Sequence, residues 1–227
     1  MNDIVGRALK ASVAIATLAC ACGLARGQNI VVDEPDSPDA PDFSLGIGYA
    51  YVSVGDSDSV LHSENALRFD SAASFSPFAN LPQLRLGAAF GVAMVLDNSQ
   101  RTIISNGGLI IAGSSSIPLL LLEPEARLSW RQYFGDADEF FVEPGVGVGG
   151  VFANLSVDAD DSSTGESFDE WESAFTARAF VNVGFEVTGG VAGIQASYMQ
   201  GGDLDFAENA GGDVSEFYIG VFGALRF

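Results

Sequence analysis

Phe43-Ser44-Leu45-Gly46-Ile47-Gly48-Tyr49-Ala50-Tyr51 carries an apolar side chain at each odd position and a small one at each even position. Side chains of a strand point to opposite faces in turn, whereas a helix repeats every 3.6 residues. The stretch therefore predicts a strand with one large apolar face and one face paved with small residues.

Working outward, the same beat returns seven times. Its apolar rows are Leu67, Phe69, Ala73, Phe75; Leu84, Leu86, Ala88, Phe90, Val92, Met94; and Leu122, Pro124, Ala126, Leu128, Trp130, Phe134. They continue in Phe140, Val142, Val146, Val148, Phe152; Phe175, Ala177, Ala179, Val181, Val183, Phe185, Val187; Ala192, Ile194, Ala196, Tyr198; and Phe217, Ile219, Val221, Leu225, Phe227. This predicts an all-β chain of eight antiparallel strands. Long segments (55–65, 96–116, 156–173, 201–215) follow strands one, three, five and seven, and short ones (76–82, 135–139, 188–190) follow two, four and six. An even strand number with short turns at one rim and long loops at the other suits an up-and-down transmembrane barrel.

The period does not say which face points outward. A soluble eight-stranded barrel of lipocalin type turns its apolar rows inward around a ligand. Here the opposite face is Gly46, Gly48, Ala50, Gly87, Ala89, Gly91, Ala93, Gly145, Gly147 and Gly149. A water-facing surface has no reason to consist of glycine, whereas a narrow closed interior needs small side chains. Aromatics at the strand ends (Tyr49, Tyr51, Trp130, Phe134, Tyr198) also suit interfacial girdles. The apolar rows are expected to face lipid.

Ahead of the strands, Arg7 and Lys10 precede the apolar, Ala-rich stretch 11–25, and Ala25-Arg26-Gly27 offers small residues at the −3 and −1 positions of a cut. Residues 1–27 are read as a signal peptide, with lipidation at Cys20 or Cys22 as the alternative. Both cysteines lie inside that leader, so no disulfide is expected in the exported chain. Residues 28–42 read as an acidic, Pro-rich linker, leaving 43–227 for the barrel.

The last strand, Phe217-Tyr218-Ile219-Gly220-Val221-Phe222-Gly223-Ala224-Leu225-Arg226-Phe227, resembles the C-terminal signature strand of bacterial outer-membrane β-barrels. Val142-Glu143-Pro144-Gly145-Val146-Gly147-Val148-Gly149 resembles the Gly-alternating strand of the small OmpA-like or opacity-type barrels. The resemblance implies that fold, a place in the bacterial outer membrane, and reading of the terminal Phe227 by the barrel-assembly machinery. It implies no ligand.

Charge sorts by face. The chain of 227 residues holds 10 Lys and Arg against 30 Asp and Glu, a net charge of −20. With 17 Phe, 5 Tyr and 2 Trp it is no disordered acidic tail. Its sign argues against nucleic acid, which proteins bind with Lys and Arg. In the expected register the strand charges all fall on the small-residue face: Arg68, Asp70, Arg85, Glu123, Glu125, Arg127, Arg131, Glu143, Arg178, Glu186 and Arg226. Six Arg against five acids leave +1 there, so the acidic excess belongs to linker, loops and turns. An eight-stranded barrel is just wide enough inside for side chains, so this network reads as a structural polar plug. A gated ion path is the functional alternative.

Other candidates are weak. His62 is the one histidine and stands beside Ser63 and Glu64, but neighbours in sequence rarely form a nucleophile triad. Asp158 to Glu166 approaches a calcium loop when aligned on Asp160, with Ser162, Thr164 and Gly165 in step, yet Trp171 stands where the closing Glu belongs. Gly145 to Gly150 has no following Lys and so is no phosphate loop. We expect no catalytic, cofactor or metal residue, outer-membrane lipid as the main partner, and weak divalent cations at the acidic loops. Pro124 and Pro144 strain the strand reading: either bulges absorb them, or strand four starts only near Pro124 and leaves residues 117–122 as a loop stem. The functional readings are a structural or adhesive barrel with acidic outer loops, then a narrow solute or ion channel, then a lipid A-modifying enzyme.

Overall fold

The computed structural model describes residues 41–54, 64–95, 101–104, 110–113, 119–135, 140–157, 168–206 and 212–226. The expected leader, residues 28–40 of the linker, His62, Ser63, the acidic run 158–167 and Phe227 lie outside them.

The described strands are β1 (Asp42–Val54), β2 (Glu64–Phe75), β3 (Leu84–Val95), β4 (Arg101–Ile104), β5 (Ile110–Gly113) and β6 (Leu119–Trp130). They continue with β7 (Gln132–Phe134), β8 (Phe140–Val157), β9 (Phe168–Val187), β10 (Gly190–Leu204) and β11 (Gly212–Arg226). One sheet runs β6-β3-β2-β1-β11-β10-β9-β8-β7, and a β6–β8 pairing closes it. β6 and β7 are two pieces of one stave interrupted at Arg131, so the barrel has eight antiparallel staves. β4 and β5 form a separate hairpin inside the expected 96–116 loop.

Pairing around the wall leads from Ala177 through Val148, Ala126, Ala88, Ala73, Phe43, Leu225 and Gly190 back to β9 at Val187. The return is displaced by 187 − 177 = 10 residues, which for eight strands means a tilt of roughly 40°. At the short-turn rim the β9–β10 connection closes over Gly189, whose φ of +78° favours glycine.

The expected outward rows are outward. Leu45, Ile47, Tyr49, Val146, Val148, Phe185, Ile194, Ile219 and Val221 are all exposed, while Arg68, Arg85, Glu123, Glu143 and Arg178 are buried. That is the inverse of a water-soluble barrel, and it makes this a transmembrane β-barrel with its charge inside and its hydrocarbon surface outside. Aromatics border the belt at both ends: Tyr51–Phe217–Tyr198 is one paired row, and Phe134–Phe140–Phe185 another.

Several boundaries differ from expectation, among them those of the expected 201–215 segment, where β10 runs to Leu204 and β11 starts at Gly212. β1 begins at Asp42, the last residue of the expected linker. β8 runs on to Val157 and β9 starts at Phe168, so the third long segment is 158–167 rather than 156–173. The prolines need no bulge, because the β6–β8 register is the same on either side of each. Bridges are missing at 123–124 and again beside Glu143 and Pro144, where the absent proline N–H leaves a gap in the ladder.

At the loop end the alternation changes sign. Inward-facing Val52, Val54, Leu119, Leu121, Val151, Leu155, Met199 and Val214 join Leu204 and Phe206 in one buried apolar cluster. On β1, β10 and β11 the outward positions between them turn polar: Ser53 pairs with Ser215, and Ser215 with Gln200. On the side of β10, β11 and β1 this end is built like a water-soluble barrel, with an apolar core inside and polar residues outside, while Phe152 and Trp171 keep the outer wall apolar on β8 and β9.

Candidate functional site

The lumen holds every strand charge that the sequence pattern turned inward, sorted into two decks below the apolar cork. The central deck is organised by two arginines. Arg68 Nη1 donates to Glu123 and to both carboxylate oxygens of Glu216 (2.8 and 3.0 Å), and its Nη2 donates to Asp70 at 3.0 Å. Arg178 donates from Nε to Glu125 at 2.9 Å, from Nη1 to Glu216 at 2.8 Å and Ser197 at 3.0 Å, and from Nη2 to Glu123. Arg127 completes the deck by donating to Glu125 and to Asp70 (3.1 Å). Such multiply bonded pairs let charges persist where water is excluded.

The lower deck, toward the short turns, gathers around Asp42. Arg131 Nη1 donates to it at 2.6 Å, Arg226 Nε at 3.2 Å, and Arg85 lies 3.0 Å away. Arg131 also donates to Glu143 (2.6 Å), and Arg226 to Glu186 (3.0 Å). An aromatic floor closes beneath, with Arg131 over the Phe141 ring at 4.7 Å and Tyr133 and Phe222 against Phe141. Between the decks lies a cavity of about 40 Å³, bordered by Ser44, Gly46, Ala72, Asn182, Gln195 and Phe222. Asn182 Oδ1 and Gln195 Nε2 are buried there without a protein partner, in a space of the size that water fills.

The small-residue face now has a physical reason. Long side chains from one strand lie across the glycines of the next: a Cβ on Gly91 would meet the Arg68 guanidinium, and one on Gly147 would sit 2.9 Å from Glu125 Cδ. Glycine gives the central deck the width its long side chains need.

All eleven sequence-predicted charges enter these decks. Two partners were missed. Asp42 and Glu216 stand one residue outside the apolar rows of their strands, yet share the inward parity of Ser44 and Tyr218. Extending the alternation by one position finds both. With them the two decks hold six Arg against seven acids, 6 − 7 = −1, in place of the expected +1. His62 and Ser63 fall outside the described residues. Trp171 lies on β9, exposed, so the chain from Asp160 does not run as one loop to that position. Among the described residues no cluster of His, Cys, Asp and Glu suits a metal ion.

An eight-stave barrel with a lipid-facing belt, a salt-bridged lumen and alternating short and long connections is the fold of the small bacterial outer-membrane β-barrels. No protein-family model matches the chain, and no curated protein matches it. Among solved structures it is similar to Neisserial surface protein A (NspA), at 15% identity over 86% of this chain and 100% of that one, with a TM-score of 0.54. Matches to OprG from Pseudomonas aeruginosa (14% identity, 83% and 97% covered, TM-score 0.48) and Ail of Yersinia pestis (15%, 83% and 99%, 0.46) are weaker.

Proposed function

We propose that this chain is a non-conducting, non-catalytic protein of the bacterial outer membrane, whose barrel anchors acidic loops for structural or adhesive contact at the cell surface. The observation that carries this reading is the filled lumen: an apolar cork over two salt-bridged decks over an aromatic floor. Nothing in that stack offers an aqueous path from rim to rim, and the inward Ser129 hydroxyl, which donates to Glu143 at 2.6 Å, meets a carboxylate that Arg131 already holds in an ion pair rather than a free base. The name of its structural relative NspA, a surface protein, agrees with display at the surface. On this reading the leader exports the chain, the assembly machinery inserts it through Phe227, and lipid surrounds the belt. The acidic loops, including 158–167, attract divalent cations and repel anionic partners.

Reconstitution into planar bilayers tests it. The wild-type barrel is expected to show no conductance steps, and a variant with the cork hollowed out (Leu121→Ala with Val151→Ala) no large ones, because the decks remain. Steady unitary conductance from the wild type would replace this reading with the channel.

A further inference from the structure

The central deck does not balance. Its cations are Arg68, Arg127 and Arg178, and its carboxyls are Asp70, Glu123, Glu125 and Glu216, so 3 − 4 = −1. None of the four carboxyl residues is more than 8% exposed. Among the described residues no further cation faces them. β1, β3 and β8 offer only uncharged residues at this level, among them Gly46, Gly48, Ala89, Gly91, Ala93 and Gly147. β10 contributes Ser197 and Met199, β9 adds Thr176 beside Arg178, and β11 adds the Tyr218 hydroxyl. Overhead lies the cork. The lower deck, with Arg85, Arg131 and Arg226 against Asp42, Glu143 and Glu186, is neutral by itself and lends nothing. An uncompensated charge in such surroundings is costly, and a carboxyl avoids the cost by taking a proton.

The geometry shows where. Glu123 and Glu216 accept from the same Arg68 Nη1 and both accept from Arg178, which brings their carboxyls within hydrogen-bond reach of each other. Glu123 Oε1 is buried and receives no donor. Asp70 and Glu125 are also bonded by two arginines each, but they draw on different nitrogens, Arg127 Nη2 donating to Asp70 and Arg127 Nε to Glu125, so no single donor nitrogen ties either one to another carboxyl. We propose that Glu123 and Glu216 form a proton-binding site, a carboxylic acid–carboxylate pair that holds one shared proton at neutral pH. The O–H of one carboxyl donates to an oxygen of the other, the arginines hold the remaining oxygens, and the deck becomes three against three. The site does not depend on the proposed surface role.

Infrared difference spectroscopy on the full folded chain in lipid vesicles tests this directly. Wild type at neutral pH is expected to show one protonated-carboxyl C=O band, lost in Glu123→Gln and in Glu216→Gln and kept in Glu125→Gln. Absence of the band in wild type, or its survival in both dyad variants, overturns the proposal. Urea unfolding gives an independent readout, since an amide copies the neutral member of the pair. Each single dyad variant should keep the wild-type midpoint, while the double variant and Glu125→Gln should lower it. A loss for Glu123→Gln and Glu216→Gln as large as that for Glu125→Gln contradicts a shared proton. So does a missing band with a midpoint that rises with sodium concentration, which assigns the compensation to a bound cation.

Discussion

At Val221 strand β11 shows an aliphatic side chain to the outside, while its neighbours Gly220 and Phe222 face a salt-bridged interior. Seven residues nearer the loops, Val214 points inward into a dry cluster, and Asp213 and Ser215 take the outward positions. One strand thus obeys two opposite rules. Where hydrocarbon lies outside, polarity is driven into the lumen and must be paired there. Where water lies outside, apolar side chains go in and polar ones come out. The difference teaches that a strand's alternation reports the medium on each side of the wall, and that the barrel crosses from lipid to water between Phe217 and Ser215.

Substitutions that violate each region's rule test this comparison. The largest effect is expected for Arg68→Ala, which leaves Glu123, Glu216 and Asp70 short of a partner in a water-poor lumen and should cost about 3–5 kcal/mol in urea unfolding from vesicles. Leu121→Ala in the fully buried cork should cost about 2–5 kcal/mol by the same assay, as expected of a cavity in a dry core. Val221→Arg, on the lipid face, should cost about 2–4 kcal/mol, and its counterpart Ser215→Arg only about 0–1 kcal/mol. Equal penalties for those two would erase the boundary. Arg226→Ala should be mild, under about 2 kcal/mol, because its buried partner Asp42 keeps Arg85 and Arg131 and its other partner Glu186 is partly exposed at the rim.

The sequence showed the membrane half clearly. Period-two rows such as Phe43 to Tyr51 reveal which residues face lipid, because nothing else explains large apolar side chains alternating with glycine. Charges on the other parity, such as Arg127 and Glu143, then had only the lumen to occupy. What stayed hidden was everything past the ends of those rows. Asp42 and Glu216 lie beyond the pattern because the outward apolar rows begin only at Phe43 and Phe217. The cork was hidden for a related reason. Val52, Val54 and Val214 are apolar residues of inward parity, and they carry meaning only once Ser53 and Ser215 are seen on the outer wall. Which carboxyl meets which arginine depends on the ten-residue stagger, a long-range property that no local pattern encodes.

A cysteine scan of β11 with Cys20 and Cys22 replaced by serine tests the reversal most directly. Single cysteines at 213, 214, 215, 219, 221 and 225 are exposed, in lipid vesicles, to a membrane-impermeant maleimide. The account predicts fast labelling at 213 and 215, none at 219 and 221, and protection at 214, where the side chain lies in the cork. Labelling of 214 as fast as 215, or of 221 as fast as 213, would contradict a barrel whose inside and outside exchange polarity along a single strand.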